Sequence, residues 1–225
     1  MPRVCVFDVN ETLLDLAALD PHFERIFGDA SVRQAWFDQF LALWLTEAVT
    51  GTYTEFGTIE CAALQMLAER QGVNLSDENK QQILAGMQEL PPHPEVTENL
   101  SRLRDAGIRL AALTNSTQQV ADAQIENAGL QNHFEHVLSA DTVKRLKPAP
   151  EPYRLAADSL GVEIGKIRLV AAHAWDIAGA LRAGCAAAFV ARPGMVLNPL
   201  VEHPDVVGAD LREVADQIIE LESAG

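Results

Sequence analysis

Four short segments of this sequence carry polar residues whose functional groups enzymes use for chemistry. They contain two acids, a lysine, a histidine and several hydroxyl and amide side chains: Asp8, Asn10, Thr12, Thr114, Asn115, Ser116, Lys147, His173 and Asp176. Carboxylate, ammonium and imidazole groups transfer protons or form covalent intermediates in enzymes. Each segment alone is a weak signal, because an acid after a strand is often only a helix cap. An acid, a hydroxyl and amide pair, a lysine and a second acid in this chain order are together more specific.

The elements that would position these residues alternate between strands and helices. Apolar runs predict strands over residues 3–8, 108–115, 136–140, 167–172 and 186–191. Helical periodicity predicts helices over residues 94–106, 117–128, 151–160, 175–183 and 211–222. Such alternation is typical of a parallel sheet with right-handed crossovers and helices on both faces. Because ligands bind beyond the carboxyl ends of such strands, we expect the four segments to converge there.

One long helical block interrupts this alternation. Residues 16–90 show helical periodicity, many aromatic side chains and no convincing strand, and the proline-rich segment 91–95 ends the block. The predicted fold class is therefore α/β, with a Rossmann-like parallel sheet core and an inserted helical-bundle cap. We predict that residues 1–14 and 94–225 form the core domain and residues 15–93 the cap domain.

Composition narrows the function further. Lysine and arginine number 17 against 32 aspartates and glutamates, and the net charge of −15 argues against nucleic acid and anionic membranes as partners. Cys5, Cys61 and Cys185 have no metal-binding spacing and lie in apolar stretches, which favours buried structural thiols in a reducing cytoplasm. No signal peptide or membrane-spanning run is visible. We expect a cytoplasmic protein.

Four motifs carry a resemblance to a known family. The segments VCVFDVNETLLD, LAALTNST, KRLKPAPEPY and LVAAHAWDIAGALRAG resemble those of the haloacid dehalogenase superfamily, and in particular the (S)-2-haloacid dehalogenases. The match covers essentially the whole chain, and that family also carries a helical cap after the first strand. The resemblance implies hydrolysis of short (S)-2-haloalkanoic acids, such as haloacetate and 2-chloropropionate, to 2-hydroxy acids with inversion. It further implies no metal, no cofactor and a homodimer.

The resemblance also implies roles for individual residues. Asp8 would be the nucleophile that forms an ester with the substrate. Lys147 would hold Asp8 ionised and oriented, since a nearby cation favours the carboxylate form. Asp176 would position or activate the water that hydrolyses the ester. Tyr153 matches a tyrosine close to the site, although packing in the helix is an equal alternative.

Three further positions match hydroxyl and amide groups around the nucleophile and the substrate carboxylate. They are Thr12, Thr114 and Asn115. Backbone N–H groups of the VNET turn and of the helix that begins near Thr117 would add donors for that anion. The resemblance thus places the substrate carboxylate among polar groups despite the negative net charge.

The first motif and the cap depart from the family pattern. The family usually has DxYGT where this chain has DVNET, so that Asn10 replaces an aromatic residue and Glu11 replaces a glycine. The family also uses a cap arginine to receive the halide, and Phe37 stands at that position. Arg33 lies one helical turn earlier and is a candidate substitute.

The fourth motif departs as well. His173 replaces the usual asparagine, while Trp175 matches the usual aromatic position. An imidazolium with Asn115 and Trp175 would form a halide cradle without arginine, and a packed, uncharged histidine is the alternative. A smaller cradle with stronger donors would suit short substrates and fluoride.

Two other functions remain open at this point. A magnesium-dependent phosphatase of the same superfamily normally has a second aspartate two residues after the nucleophile, where this chain has Asn10. Asp8 and Asp176 alone are few carboxylates for a magnesium site. A binding scaffold for a small carboxylate would explain the altered motifs, but it would not require Asp8, Lys147 and Asp176 together.

Overall fold

The computed structural model describes residues 4–223 of the chain. Within that range the strands are β1 (Val4–Phe7), β2 (Leu110–Thr114), β3 (His136–Ser139), β4 (Ile167–Ala171), β5 (Ala186–Val190) and β6 (Val206–Gly208). They form one parallel sheet in the order β3-β2-β1-β4-β5-β6. The predicted α/β fold class is confirmed.

The sheet places β1 at its centre, between β2 and β4. All four residues of β1 are buried, as expected for a parallel strand covered by helices on both faces. The strand order reverses at β1. The chain adds β2 and β3 on one side of β1, and it later returns to add β4 on the other side. In such sheets the ligand crevice lies outside the carboxyl ends of the strands at this point. The residue that follows β1 is Asp8.

The helices fall into two groups. The first group follows β1 along the chain and forms the helical block: α1 (Asp20–Phe27), α2 (Val32–Thr50), α3 (Phe56–Gln71) and α4 (Asp77–Gln88). The second group accompanies the strands: α5 (Val96–Asp105), α6 (Gln118–Asn127), α7 (Pro150–Leu160), α8 (Ala174–Ala183) and α9 (Leu211–Ser223). No helix within residues 4–223 combines the length and the apolar character that crossing a bilayer requires.

Aromatic side chains join α2 and α3 to the sheet. Trp36, Phe40, Trp44 and Phe56 pack on one another with ring centroids 4.5 to 5.7 Å apart. They belong to the same continuous apolar cluster as Phe7 of β1. The helical block is therefore packed against the carboxyl edge of the sheet. The domain boundaries at 14/15 and 93/94 stay a prediction.

Three local differences separate the structure from the sequence expectations. β6 was not predicted, because its three residues carry no periodic pattern and are ordered by pairing with β5. The segment from Leu16 to Leu19 is a 3-10 turn rather than the start of an α-helix, and α1 begins only at Asp20. The predicted strand 136–140 ends at Ser139, whose hydroxyl caps a following 3-10 turn.

Candidate active site

The carboxylate of Asp8 is held through both of its oxygens. Its Oδ1 accepts a hydrogen bond of 2.8 Å from Lys147 Nζ, and its Oδ2 accepts one of 2.7 Å from the hydroxyl of Thr12. The imidazole Nδ1 of His173 lies 3.3 Å from Oδ2. These donors come from three separate segments of the chain. They fix the Asp8 carboxylate in one orientation at the end of β1.

Lys147 joins this carboxylate to a second one. Its Nζ donates to Asp8, to Asp176 Oδ2 at 2.6 Å and to the backbone oxygen of Leu113 at 3.0 Å. An ammonium group has three donors, so all of them are used. The side chain is fully buried, yet the two carboxylates outweigh the effect of burial and raise the pKa of Lys147 above its ordinary value. Lys147 is therefore charged and shared by two acids.

The two acids respond differently to this environment. Burial raises the pKa of Asp8, but the charge of Lys147 and the hydrogen bond from His173 outweigh it and place that pKa well below its usual range. Burial and the neighbouring charge of Asp8 raise the pKa of Asp176 in spite of Lys147. Asp8 is thus the more firmly ionised carboxylate, and Asp176 the more basic one.

Tyr153 holds the other oxygen of Asp176. The phenolic hydroxyl donates to Asp176 Oδ1 at 2.5 Å, and the tyrosine is almost fully buried between α7 and α8. Tyr153 therefore both packs in the core and contacts the site. The close approach depends on Gly179 in α8, because a Cβ atom there would lie 2.5 Å from the Tyr153 hydroxyl and 2.6 Å from Pro148 Cβ.

We predict that Gly179→Ala displaces Tyr153 and Pro148. Overpacking of a closed core typically costs about 1–3 kcal/mol of unfolding free energy, and we expect a loss in that range. Urea unfolding at neutral pH measures it. Gly57→Ala is the matched control, since the nearest atom to its Cβ is 3.9 Å away and alanine suits a helix better than glycine. Equal stabilities of Gly179→Ala and the wild type would contradict the prediction.

Asn115, Thr114 and Thr12 tie the strand ends together. Asn115 Oδ1 accepts from the backbone N–H of Lys147 at 2.7 Å, and its Nδ2 donates to the backbone oxygen of Lys147 at 3.3 Å. Thr114 Oγ1 accepts from the backbone N–H of Ser116 at 3.2 Å. Thr12 Oγ1 accepts from Ala172 N–H at 2.9 Å while it donates to Asp8. The amide of Asn115 thus positions Lys147.

His173 bridges Asp8 and Glu11. Its Nε2 lies 2.8 Å from Glu11 Oε2, while its Nδ1 faces Asp8. Burial lowers the pKa of His173, but the hydrogen bonds and charges of the two carboxylates outweigh this and raise it from 6.5 to about 9. The ring is stacked between Phe37 and Trp175, with centroids 5.6 and 5.2 Å away. At neutral pH an imidazolium therefore occupies the site next to the nucleophile candidate.

Glu11 and His173 are both departures from the family pattern, and they bind each other. Glu11 has a φ of +60°, in the left-handed region that favours glycine, and is nevertheless almost completely buried. The sequence marked Glu11 only as the replacement of a glycine. Glu11 and His173 lie 162 residues apart in the chain. Both depart from the family pattern, one as an acid and the other as a base, and this is the sequence signal from which the pair could have been predicted.

We predict that His173 stabilises the fold in a pH-dependent manner. Because its folded pKa is raised, its contribution is fully present below about pH 6.5 and is lost as the pH rises through about 9. The unfolding free energy of the wild type should exceed that of His173→Gln by on the order of 3 kcal/mol at pH 6, and the difference should shrink above pH 9. His136→Gln at an exposed position of β3 is the control. A difference independent of pH would contradict a charged His173.

Phe37 and Arg33 are the two residues considered for the missing cap arginine. Phe37 contacts the site through its ring, which lies flat on His173. Arg33 donates to Asp20 at 2.5 Å, and its Nη1 is 3.8 Å from Glu11 Oε1. It lines a separate pocket of about 450 Å³ together with Glu11 and Arg192. The structure therefore brings Phe37 to the site and leaves Arg33 on the far side of Glu11.

The groups converge on one small cavity. About 20 Å³ of it can be reached by water, which is about the room of one molecule. Its lining combines the polar groups above with aromatic rings: Asp8, Asn10, Phe37, Trp44, Phe56, Thr114, Asn115, Lys147, His173 and Trp175. From the sequence, Trp44 would either line a tight pocket or pack the cap, with packing as the default, and Phe56 was not predicted as a site residue. Asn10 is oriented by Gln124 Nε2, which donates to its Oδ1 at 2.9 Å.

The next question is whether the acidic side chains of the cavity could coordinate a metal ion. Within residues 4–223 no group of three or more histidine, cysteine, aspartate or glutamate side chains is arranged to hold a metal ion. Asp8 and Asp176 share the ammonium of Lys147, and Asn10 stands two residues after Asp8. These acids are thus already paired with a protein cation.

Comparison with known proteins identifies the family. The family model of haloacid dehalogenase-like hydrolases matches residues 2–184. The chain is 28% identical over 212 residues to the (S)-2-haloacid dehalogenase of Pseudomonas sp. strain YL, which covers 93% of this chain and 91% of the relative. It is 27% identical over 203 residues to haloacetate dehalogenase H-2 of Moraxella sp. strain B, covering 88% and 90%.

A solved structure with similar architecture carries a bound group. The L-2-haloacid dehalogenase of Xanthobacter autotrophicus with chloropropionic acid covalently bound aligns at a TM-score of 0.90 and 25% identity, covering 97% of this chain and 98% of that one. Fold and family match thus agree over most of the length. The chain belongs to the haloacid dehalogenase-like hydrolases.

Proposed function

We propose that this protein hydrolyses short (S)-2-haloalkanoic acids to 2-hydroxy acids with inversion. The observation that carries the proposal is the pair of buried carboxylates, Asp8 and Asp176, that share Lys147 beside a closed aromatic cavity. One carboxylate is firmly ionised and oriented, which suits a nucleophile, and the other is more basic, which suits activation of water. The names of the relatives and the bound chloropropionic acid support the substrate class.

The first step is displacement at carbon. A carboxylate oxygen of Asp8 attacks the α-carbon as the carbon–halogen bond breaks, and the halogen leaves as halide with the electron pair of that bond. The carbon inverts and an ester links the substrate to Asp8. Because the Asp8 carboxylate is already fixed by Thr12, Lys147 and His173, it loses little further orientational freedom on the way to the transition state.

The second step is hydrolysis of this ester. Water attacks the Asp8 carbonyl carbon while Asp176 accepts one of its protons. The bond between that carbon and the alkyl oxygen then breaks, and Asp176 returns the proton to this oxygen, which leaves as the hydroxyl of the 2-hydroxy acid. Asp8 keeps the oxygen from water, and the second proton of the water passes to solvent, which restores the carboxylate. Tyr153 and Lys147 hold Asp176 during this step. Asn115 acts on the same step by fixing the backbone of Lys147.

Substrate size follows from the cavity. Space for about one water molecule does not accommodate a haloacid, so α2 and α3 have to separate from the sheet edge before substrate enters. The aromatic walls of Phe37, Trp44 and Phe56 then favour the shortest substrates, haloacetate and 2-halopropionate. Homodimerisation and a cytoplasmic location stay predictions from the sequence.

Trapping of the ester tests the proposal. Asp176→Asn is incubated with (S)-2-chloropropionate or chloroacetate, and intact-mass measurement with peptide mapping locates the adduct. We expect an adduct with the mass of the substrate less the halide, on Asp8, and none in Asp8→Asn/Asp176→Asn. A single turnover of the wild type in ¹⁸O-labelled water provides a second measurement that needs no variant, and it should place the label in the peptide that contains Asp8.

The alternatives predict other outcomes. Magnesium-dependent release of phosphate from a phosphomonoester, without halide release from haloacids, would favour the phosphatase. Binding of a haloacid with neither an adduct nor label in Asp8 would favour the carboxylate-binding scaffold. Either result would overturn the proposal.

A further inference from the structure

Two buried indole N–H groups beside the cavity have no hydrogen-bond partner within residues 4–223. They belong to Trp44 of α2 and Trp175 of α8, and both residues line the small cavity that contains Asp8. Their rings meet edge to face with centroids 5.4 Å apart. The third tryptophan, Trp36, is different, because its Nε1 donates to the backbone oxygen of Glu60. Buried donors without an acceptor are rare in folded proteins and call for an explanation at each position.

The charged side chains of the cavity are already engaged. All three donors of Lys147 have acceptors, and both nitrogens of His173 face carboxylates. Both ends of the Asn115 amide bind the backbone of Lys147. Both nitrogens of His173, which the sequence suggested for the halide, thus have other partners, while Asn115 keeps one of its two Nδ2 hydrogens. The two indole N–H groups have no acceptor in the part of the chain that the structure describes.

The surroundings favour an anion at these groups. An indole nitrogen donates and cannot accept, so it suits an ion that offers only acceptor character. The charged His173 ring stacks on Trp175 at 5.2 Å, and Lys147 Nζ lies 5.7 Å from the centre of the Trp175 ring. Positive charge on the ring draws electron density from it and makes its N–H a stronger donor. The room for about one water molecule matches a monatomic ion.

We infer that Trp44 and Trp175 receive the halide through their indole N–H groups as the carbon–halogen bond breaks. This inference rests on the proposed function and names the groups that take the place of the cap arginine. The leaving ion carries the bonding electron pair and needs no proton, so two neutral donors beside an imidazolium are sufficient. Trp44 supplies a donor from α2 and Trp175 one from α8, so halide binding also holds the helical block against the sheet.

Halide titration of the uniformly ¹⁵N-labelled protein tests the inference without any turnover. The indole N–H signals of the three tryptophans are assigned with Trp→Phe variants and followed as bromide or chloride replaces sulfate at constant ionic strength. We expect the signals of Trp44 and Trp175 to shift with one common dissociation constant, while that of Trp36 stays in place. Trp44→Phe keeps an aromatic ring at this position and removes the N–H donor, and we expect it to weaken bromide binding about 10-fold or more.

The outcomes separate this inference from the proposed function. An ester on Asp8 together with unmoved Trp44 and Trp175 signals at saturating bromide would overturn the indole site and leave the function in place. Equal shifts of all three signals would show a general salt effect and would also overturn it. Selective shifts without any ester on Asp8 would support an anion site and contradict the function. If Trp44→Phe does not fold, the wild-type titration alone decides.

Discussion

Asp8→Asn is expected to lower kcat/KM for 2-chloropropionate by at least about 1000-fold, since removal of a nucleophile eliminates the covalent route. The amide has the size of the carboxylate and keeps an oxygen for Thr12 or Lys147, but it carries no negative charge with which to displace a halide. Lys147 retains Asp176 as its partner, so the fold should persist. Initial rates of halide release over substrate concentrations from well below to above KM measure the effect.

Asp158→Asn is the matched control for Asp8→Asn. Asp158 lies on the exposed face of α7, and the same change of charge there should leave halide release unaltered. Circular dichroism and urea unfolding would establish that both variants are folded. Retention of more than a tenth of the wild-type rate in Asp8→Asn would rule out Asp8 as the group that forms the ester.

Lys147→Met is expected to have the largest effect on stability. Removal of the ammonium leaves Asp8 and Asp176 buried and close together without their shared cation. Breaking a buried ion pair by deleting one partner typically costs about 3–5 kcal/mol, and we expect the unfolding free energy to fall in that range at pH 7. The pKa values of both acids should rise in the variant, because Lys147 lowers each of them in the native protein.

The pH dependence distinguishes loss of charge pairing from loss of packing. Protonation of the two carboxylates removes their repulsion, so the deficit of Lys147→Met should diminish as the pH falls from 7 toward 4. Lys166→Met, at an exposed position before β4, is the control and should unfold like the wild type. A deficit in Lys147→Met that is constant with pH would assign the effect to packing alone.

The fold was largely predictable because its elements carry strong local patterns. Continuous apolar runs, such as Val4–Phe7, mark strands buried on both faces, and left-handed glycines such as Gly129 and Gly161 follow helices where the periodicity ends. The exception, β6, has only three residues and depends on pairing with β5. Its order comes from a contact that no local pattern encodes.

The positions of Asp8, Thr12, Lys147 and Asp176 were predictable for a similar reason. Each follows or precedes an element whose direction the parallel sheet determines, so their side chains meet at its carboxyl edge. Their partners were less predictable. Asn115, predicted near the substrate, lines the cavity and also binds the backbone of Lys147, 32 residues away. A side-chain type indicates which hydrogen bonds are available and does not indicate which neighbour takes them.

The sequence by itself determined the α/β architecture, the helical block after β1 and the acids and lysine that meet at the sheet edge. Only the tertiary structure decided which side chains lie around Asp8 where the family pattern has a cap arginine. Glu11 and His173 bind each other across 162 residues, and Trp44 of α2 meets Trp175 of α8 beside Asp8. Periodicity encodes which face of an element is buried. Packing between distant elements then determines which buried donors find an acceptor within the protein and which remain free for a ligand.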